Sequence, residues 1–194
     1  MRPPPPELAR RLLDATGVVL CPDRGLRLED VAALIGSPRA TLYYYFSGRD
    51  ALVGFLLEQH LSAAGDALGG ASEPARPPAV QLDAALAALV AYLGERPGVV
   101  AGLLAFAGHP ERARDIHSLK EAVLATPLRI ILEGGAASGA FAIDDARDAA
   151  HAILGGVLVT TLARWHDGRD TTSVAFQRAL VDQLVRSVAC GPPA

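Results

Sequence analysis

Lysine is nearly missing from this chain of 194 residues: Lys120 is the only one, and arginine supplies the other seventeen of its 18 basic side chains. Cysteine occurs twice, at Cys21 and Cys190, far apart in sequence. Two such thiols build no disulfide framework, so a reducing, cytoplasmic setting is expected. An excess of positive charge is also missing. The 18 basic and 21 acidic residues leave a net charge of −3, so the charge of the whole chain points to no nucleic-acid partner. The opening MRPPPPELARR has no apolar core of the kind a signal peptide needs. The most apolar runs, Ala84–Leu93 and Ala152–Ala163, fall short of the roughly 20 residues that span a bilayer, so no membrane partner is expected. Alternating β-branched and aromatic runs are scarce, which disfavours a sheet. Nucleophile elbow, phosphate loop and triad signatures are all missing, so no catalytic residue and no enzyme activity are expected. His109, Glu111, Asp115 and His117 have no zinc spacing, and Pro110 interrupts them. No metal or other cofactor is expected.

What is there is apolar and helical. Apolar residues make up 51% and charged residues 20%, enough for a sizeable core. Alanine and leucine recur at helical spacing, which predicts an all-α chain of about nine helices. A first helix opens at Pro6 and runs through Leu8, Leu12, Ala15 and Val19. A second covers Leu28–Ile35 and stops at Gly36. Ser37 caps a third that reaches Phe46. Ser47-Gly48-Arg49-Asp50 reads as a capping box for a fourth, ending near Leu68. The stretch GGASEPARPP at 69–78 reads as a linker. Two domains follow from it, 1–68 and 69–194. Helices are then expected at about 79–95, 97–108, 111–134 with a kink at Pro127, 145–166 and 173–189, with Asp144 and Thr172 as caps.

Residues 28–46 have the dimensions of a helix-turn-helix. On the third helix Pro38, Leu42 and Phe46 share one face. Ala40, Thr41 and Tyr44 form the opposite arc, flanked by Arg39, Tyr43 and Tyr45. Three consecutive tyrosines sweep roughly 200° about a helix axis and cannot share one core. Hydroxyl, aromatic and guanidinium groups on an outward arc suit a major groove. Arg49, in the first turn of the next helix, suits a phosphate held jointly with that helix's N-terminus. Spacing alone leaves a second reading open, in which these are half-buried residues of an ordinary amphipathic helix. The first 68 residues carry seven arginines and eight acids, so any basic surface must be local.

The segment LEDVAALIGSPRATLYYYFSGRDAL resembles the N-terminal signature of the TetR family of transcriptional regulators. The resemblance rests on Asp30-Val31-Ala32, Gly36, Thr41-Leu42-Tyr43, Tyr45-Phe46 and Arg49, and covers about residues 8–60. Arg27 stands where the family commonly has Thr or Ser, and Arg49 where lysine is usual. The resemblance implies an N-terminal helix-turn-helix domain followed by a larger effector-binding and dimerisation domain. It implies that Arg39, Ala40 and Tyr44 face base edges. Thr41, Tyr43, Tyr45 and Arg49 would hold the DNA backbone, with Ser37 and Arg27 as lesser contacts. A small-molecule pocket is implied among the middle helices, with Tyr92, Leu103, Leu104, Phe106, His109, His117 and Trp165 as candidates.

Helix-turn-helix units commonly read palindromic duplexes as twofold dimers. The last two helices are the expected homodimer surface, through Ile153, Leu154, Val157, Leu158 and Thr161 on one and Val181, Leu184, Val185 and Val188 on the other. The function expected is a repressor released from a palindromic operator by a small-molecule effector. A helical small-molecule-binding protein that does not read DNA is the alternative, and a helical enzyme using His109 or His117 a third.

Overall fold

The computed structural model describes residues 3–21, 25–106 and 110–190. Among them the chain is helical, and the only extended pairing is an isolated antiparallel bridge between Phe141 and Ala189. The helices form two compact units. One holds residues up to His60 together with Gly98–Ile116; the other holds Leu61–Pro97 and the chain from His117 on. The expected breaker Gly69-Gly70 lies inside a helix, Arg49–Ala71, rather than after one.

In the first unit, α1 (Pro6–Asp14) has Pro at its start, where the missing N–H costs nothing. It buries Leu8 and Leu12. The helix breaks at Ala15, and a single turn, α2 (Thr16–Val19), follows. α3 (Leu28–Leu34) and α4 (Arg39–Tyr45) pack on each other. α5 (Arg49–Ala71) begins in this unit and ends in the other. The His60 ring and the Thr16 hydroxyl meet at 2.9 Å, both buried, which satisfies two polar groups where an unpaired one would cost about 1–3 kcal/mol. α7 (Pro97–Phe106) and the first part of α8 (Pro110–Lys120) complete the unit.

In the second unit, α6 (Pro78–Gly94) packs against α9 (Thr126–Ala137) and α11 (Val174–Val188), and α10 (Ala146–His166) packs against α9. Arg178 on α11 makes a fork onto Asp83 of α6 at 3.0 and 2.7 Å, and also pairs with Asp182. The Thr171 hydroxyl donates to the Gly94 carbonyl at 2.6 Å. Phe141 lies on Gly135, where an added Cβ would stand only 1.9 Å from the ring.

The kink expected at Pro127 takes a particular form. Residues Glu121–Ala125 are a π-helical turn, and the Thr126 N–H donates to the Glu121 carbonyl five residues back. A proline ring clashes with the carbonyl four residues before it and supplies no N–H. Widening the preceding turn by one residue relieves that crowding. The predicted caps shift too. Asp145, not Asp144, caps α10, accepting from the Asp148 N–H at 2.8 Å. Ser173, not Thr172, stands at the N-cap of α11, without a side-chain bond.

Candidate nucleic-acid interface

The turn between α3 and α4 follows from Gly36. Its φ of +63° is the left-handed conformation that only glycine adopts readily. The Ser37 N–H then donates to the Ala32 carbonyl at 2.9 Å, and the Gly36 N–H to the Ala33 carbonyl at 3.2 Å. These two bonds are the complete Schellman pair that closes a helix C-terminus. The carbonyls of Ile35 and Gly36 are taken by a side chain from another helix. Arg11 of α1 takes both, at 3.2 and 3.3 Å from Nη1. Sequence reasoning passed over Arg11, because a lone arginine on an amphipathic helix carries no mark of a partner in another helix.

α4 begins at Arg39, with Pro38 at its N-cap and no side-chain cap bond. The expected cap by Ser37 is therefore corrected: Ser37 spends its N–H on closing α3 and is half-buried. Leu42 and Phe46 are 0% exposed. Burying each contributes roughly 1.5–3 kcal/mol and fixes how the helix is rotated. Pro38, expected to share that inward face, is exposed. The opposite arc opens outward: Arg39 and Ala40 are exposed, Tyr43 is 46% and Tyr44 61% exposed, and Thr41 and Tyr45 are half-buried. Tyr44 and Tyr45 meet edge to face at 4.9 Å. Arg27 lies exposed at the N-cap of α3, its own N–H held by the Asp30 carboxylate at 2.8 Å.

Arg49 is half-buried at the start of α5. Its Nη2 donates to the Val19 carbonyl at 3.4 Å, and its Nε is buried with no partner. α5 starts at Arg49 with Gly48 preceding it, one residue later than the capping box Ser47–Asp50 implied.

One acidic residue belongs to this surface and was missed. Glu29, on the first turn of α3, accepts from the Tyr43 hydroxyl at 3.0 Å and pairs with Arg39 Nη2. The Arg39 guanidinium also lies 5.4 Å from the centre of the Tyr43 ring. A hydrogen bond from its own backbone and the Tyr43 hydroxyl, with lesser help from the charges of Arg39 and Arg27, hold the Glu29 carboxyl below the ordinary value, against the opposing effect of burial. An acid early in a helix reads from sequence as macrodipole complement. Only the packing of α3 on α4 brings it to the two side chains.

The candidate ligand residues are distributed over both units. Leu103 is buried and Leu104 and Phe106 half-buried in the first. There Phe106 lines a cavity of about 380 Å³ with Phe55, Glu58, Asp115 and Ile116. Burial and the nearby Asp115 raise the Glu58 carboxyl above the usual range. In the second unit the Tyr92 ring carries the Arg96 guanidinium at 4.2 Å, and burial pushes its phenol up. Trp165 leans on His166 at 5.4 Å, and His117 is exposed. A cavity of about 470 Å³ in this unit is lined by Glu121, Thr126, Arg129, Glu133, Asp145 and Arg147 among others, and by none of the expected ligand residues. His109 lies outside the described residues. No group of three metal-ligating side chains occurs among the described residues.

The expected dimer residues are largely enclosed by their own chain. Ile153, Leu154, Val157, Thr161, Val181 and Val188 are buried within their own unit, and Leu158, Leu184 and Val185 are half-buried. The buried six belong to the core of the chain itself, and the half-buried three keep part of their surface open. The outward arc of α10 carries Ala152, Val159 and Ala163, with Val159 58% exposed, and Val174 at the start of α11 is 80% exposed.

No protein-family model matches the sequence, and no curated protein matches it. Solved structures do. The fatty acid degradation regulator FadR from Bacillus halodurans superposes with a TM-score of 0.80 at 17% identity, over 95% of this chain and 97% of that one. A tetR-family regulatory protein from Rhodococcus RHA1 gives 0.77 at 18% identity, over 95% and 98%. The TetR-family regulator PfmR from Thermus thermophilus gives 0.73 at 23% identity, over 91% and 97%. No single helix among the described residues is long and apolar enough to cross a membrane. With a helix-turn-helix near its start and helices throughout, the chain has the fold of the TetR-family transcriptional regulators.

Proposed function

We propose that the protein is a dimeric DNA-binding transcriptional regulator that reads a palindromic duplex with α4 and is released from it by a small-molecule effector. The observation that carries this reading is the two-sidedness of α4. Leu42 and Phe46 are sealed inside while Arg39, Ala40, Tyr43 and Tyr44 stand outside. Arg39, Ala40 and Tyr44 would face base edges; Tyr43, Thr41, Tyr45 and Arg49 would hold the backbone, with Ser37 and Arg27 at the margins. A twofold dimer matches the symmetry of a palindrome, and the outward arc of α10 with Val174 is the surface we assign to it. An effector acts by binding one arrangement of the dimer more tightly than the other. Long-chain acyl compounds are the first to try, since one neighbour in structure regulates fatty acid degradation.

A second reading, a helical small-molecule binder without DNA recognition, is favoured by the balance of seven arginines against eight acids in the first 68 residues. Selection of duplexes from a random-sequence pool decides between them. Enrichment of a palindromic sequence, bound with steep salt dependence, supports the regulator; failure to enrich any sequence removes it.

A further inference from the structure

Resting on the DNA-binding reading above, we propose that Glu29 is a specificity-determining residue of the reading face. Its carboxylate makes every phosphate contact by Arg39 or Tyr43 cost a bond, while leaving Arg39 able to address a base edge.

The geometry carries the argument. Arg39 offers five N–H donors, and Glu29 engages it through Nη2. Donors remain on the guanidinium for the N7 and O6 acceptors of a guanine. Tyr43, by contrast, has one hydroxyl proton, and Glu29 takes it at 3.0 Å. A phosphate occurs at every step of a duplex, whereas a guanine edge in the right place occurs only in some sequences. For Tyr43 or Arg39 to grasp a phosphate, a bond to Glu29 must break and an ionised carboxylate must be left beside a polyanion. Engaging a guanine edge requires no such break, because the carboxylate then supports the guanidinium from behind. The cation–π contact of Arg39 with the Tyr43 ring ties the three side chains into one unit. Glu29 therefore subtracts from binding to arbitrary sequence more than from binding to the correct one.

The test uses the full chain and two duplexes of equal length, the one selected from a random pool and one of mixed sequence. Glu29→Gln keeps the side-chain shape and removes the charge. We expect it to raise affinity for the mixed duplex, to steepen the salt dependence there by about one phosphate contact, and to lower the ratio of selected to mixed affinity about tenfold. Glu7→Gln, which removes an exposed charge on α1, serves as the control and should leave the ratio unchanged. In a chain already carrying Arg39→Ala and Tyr43→Phe, Glu29→Gln should no longer alter the ratio. Equal changes on both duplexes, the same change in the control, or an undiminished effect in the doubly substituted chain would overturn the proposal while leaving DNA binding intact. A wild-type chain that selects no duplex would instead remove the regulator reading, and this proposal with it.

Discussion

His151 on α10 stands between two acceptors: its Nε2 lies 2.6 Å from a Glu121 carboxylate oxygen and its Nδ1 2.9 Å from the Arg147 carbonyl. The ring thus ties the backbone of α10 to the carboxylate of the π turn. Burial opposes ionisation of Glu121, but the His151 bond and charge, with Lys120 and His117, outweigh it and hold the carboxyl below its usual 4.5. A depressed carboxyl stabilises the fold above its unfolded value and loses that contribution as pH falls through the folded one. Replacing His151 by alanine should therefore cost about 1–2 kcal/mol near neutrality. It should also flatten the decline in stability on acidification below about pH 4.5. Denaturant midpoints of both chains across the acid range would check this; parallel curves would show that the pair contributes nothing.

Arg11 should matter to the turn before α4 more than its place on an amphipathic helix suggests. Arg11→Ala frees the carbonyls of Ile35 and Gly36. The loss should be about 1–2 kcal/mol, with the lower end set by the partial exposure of the side chain. Amide exchange at Ser37 and Gly36 should quicken together. Unchanged exchange there would mean that the Schellman bonds suffice without the clamp.

On the reading face, Tyr43→Phe should weaken binding to every duplex and leave the fold intact, because the side chain is 46% exposed and loses only a hydroxyl. Arg39→Ala should relax preference at one base pair by roughly 1–3 kcal/mol. Leu42→Ala should instead unfold the surface, costing about 2–5 kcal/mol for a fully enclosed side chain. Titrations against the selected duplex and its single-base variants, beside thermal melts, separate these three outcomes.

The dimer assignment is exposed to a single substitution. Val159 projects 58% exposed from the outward arc of α10, so Val159→Arg should leave the monomer's stability within about 0.5 kcal/mol. It should shift sedimentation at micromolar concentrations toward the monomer. Persistence of the dimer with this arginine would move the interface to another face.

Much of α4 was legible before any coordinates. Leu42 and Phe46 recur at helical spacing, Gly36 supplies the left-handed residue that closes α3, and the tyrosines could not all turn inward. These are local patterns, and locality is what a sequence displays. Gly69-Gly70 misled because glycine marks a break only where packing does not hold the helix together, and α5 carries through to Ala71. Ile153, Val157 and Val181 show another limit: apolar spacing identifies a buried face without saying whose atoms bury it. Glu29 was illegible because its partners lie ten and fourteen residues on, across a turn. The bond from Arg49 to the Val19 carbonyl was illegible for the same reason, since its partner lies thirty residues back.

The π turn at Glu121–Ala125 has a consequence for lineage and engineering alike. Such a turn is an α-helix that has accommodated one additional residue, so excising one, such as the exposed Ala122, should restore ordinary winding without rotating anything downstream. Pro127 would then press on the carbonyl before it, and the shortened chain should tolerate the excision only when Pro127→Ala accompanies it. The extra residue and the proline are thus a matched pair, each a fault alone.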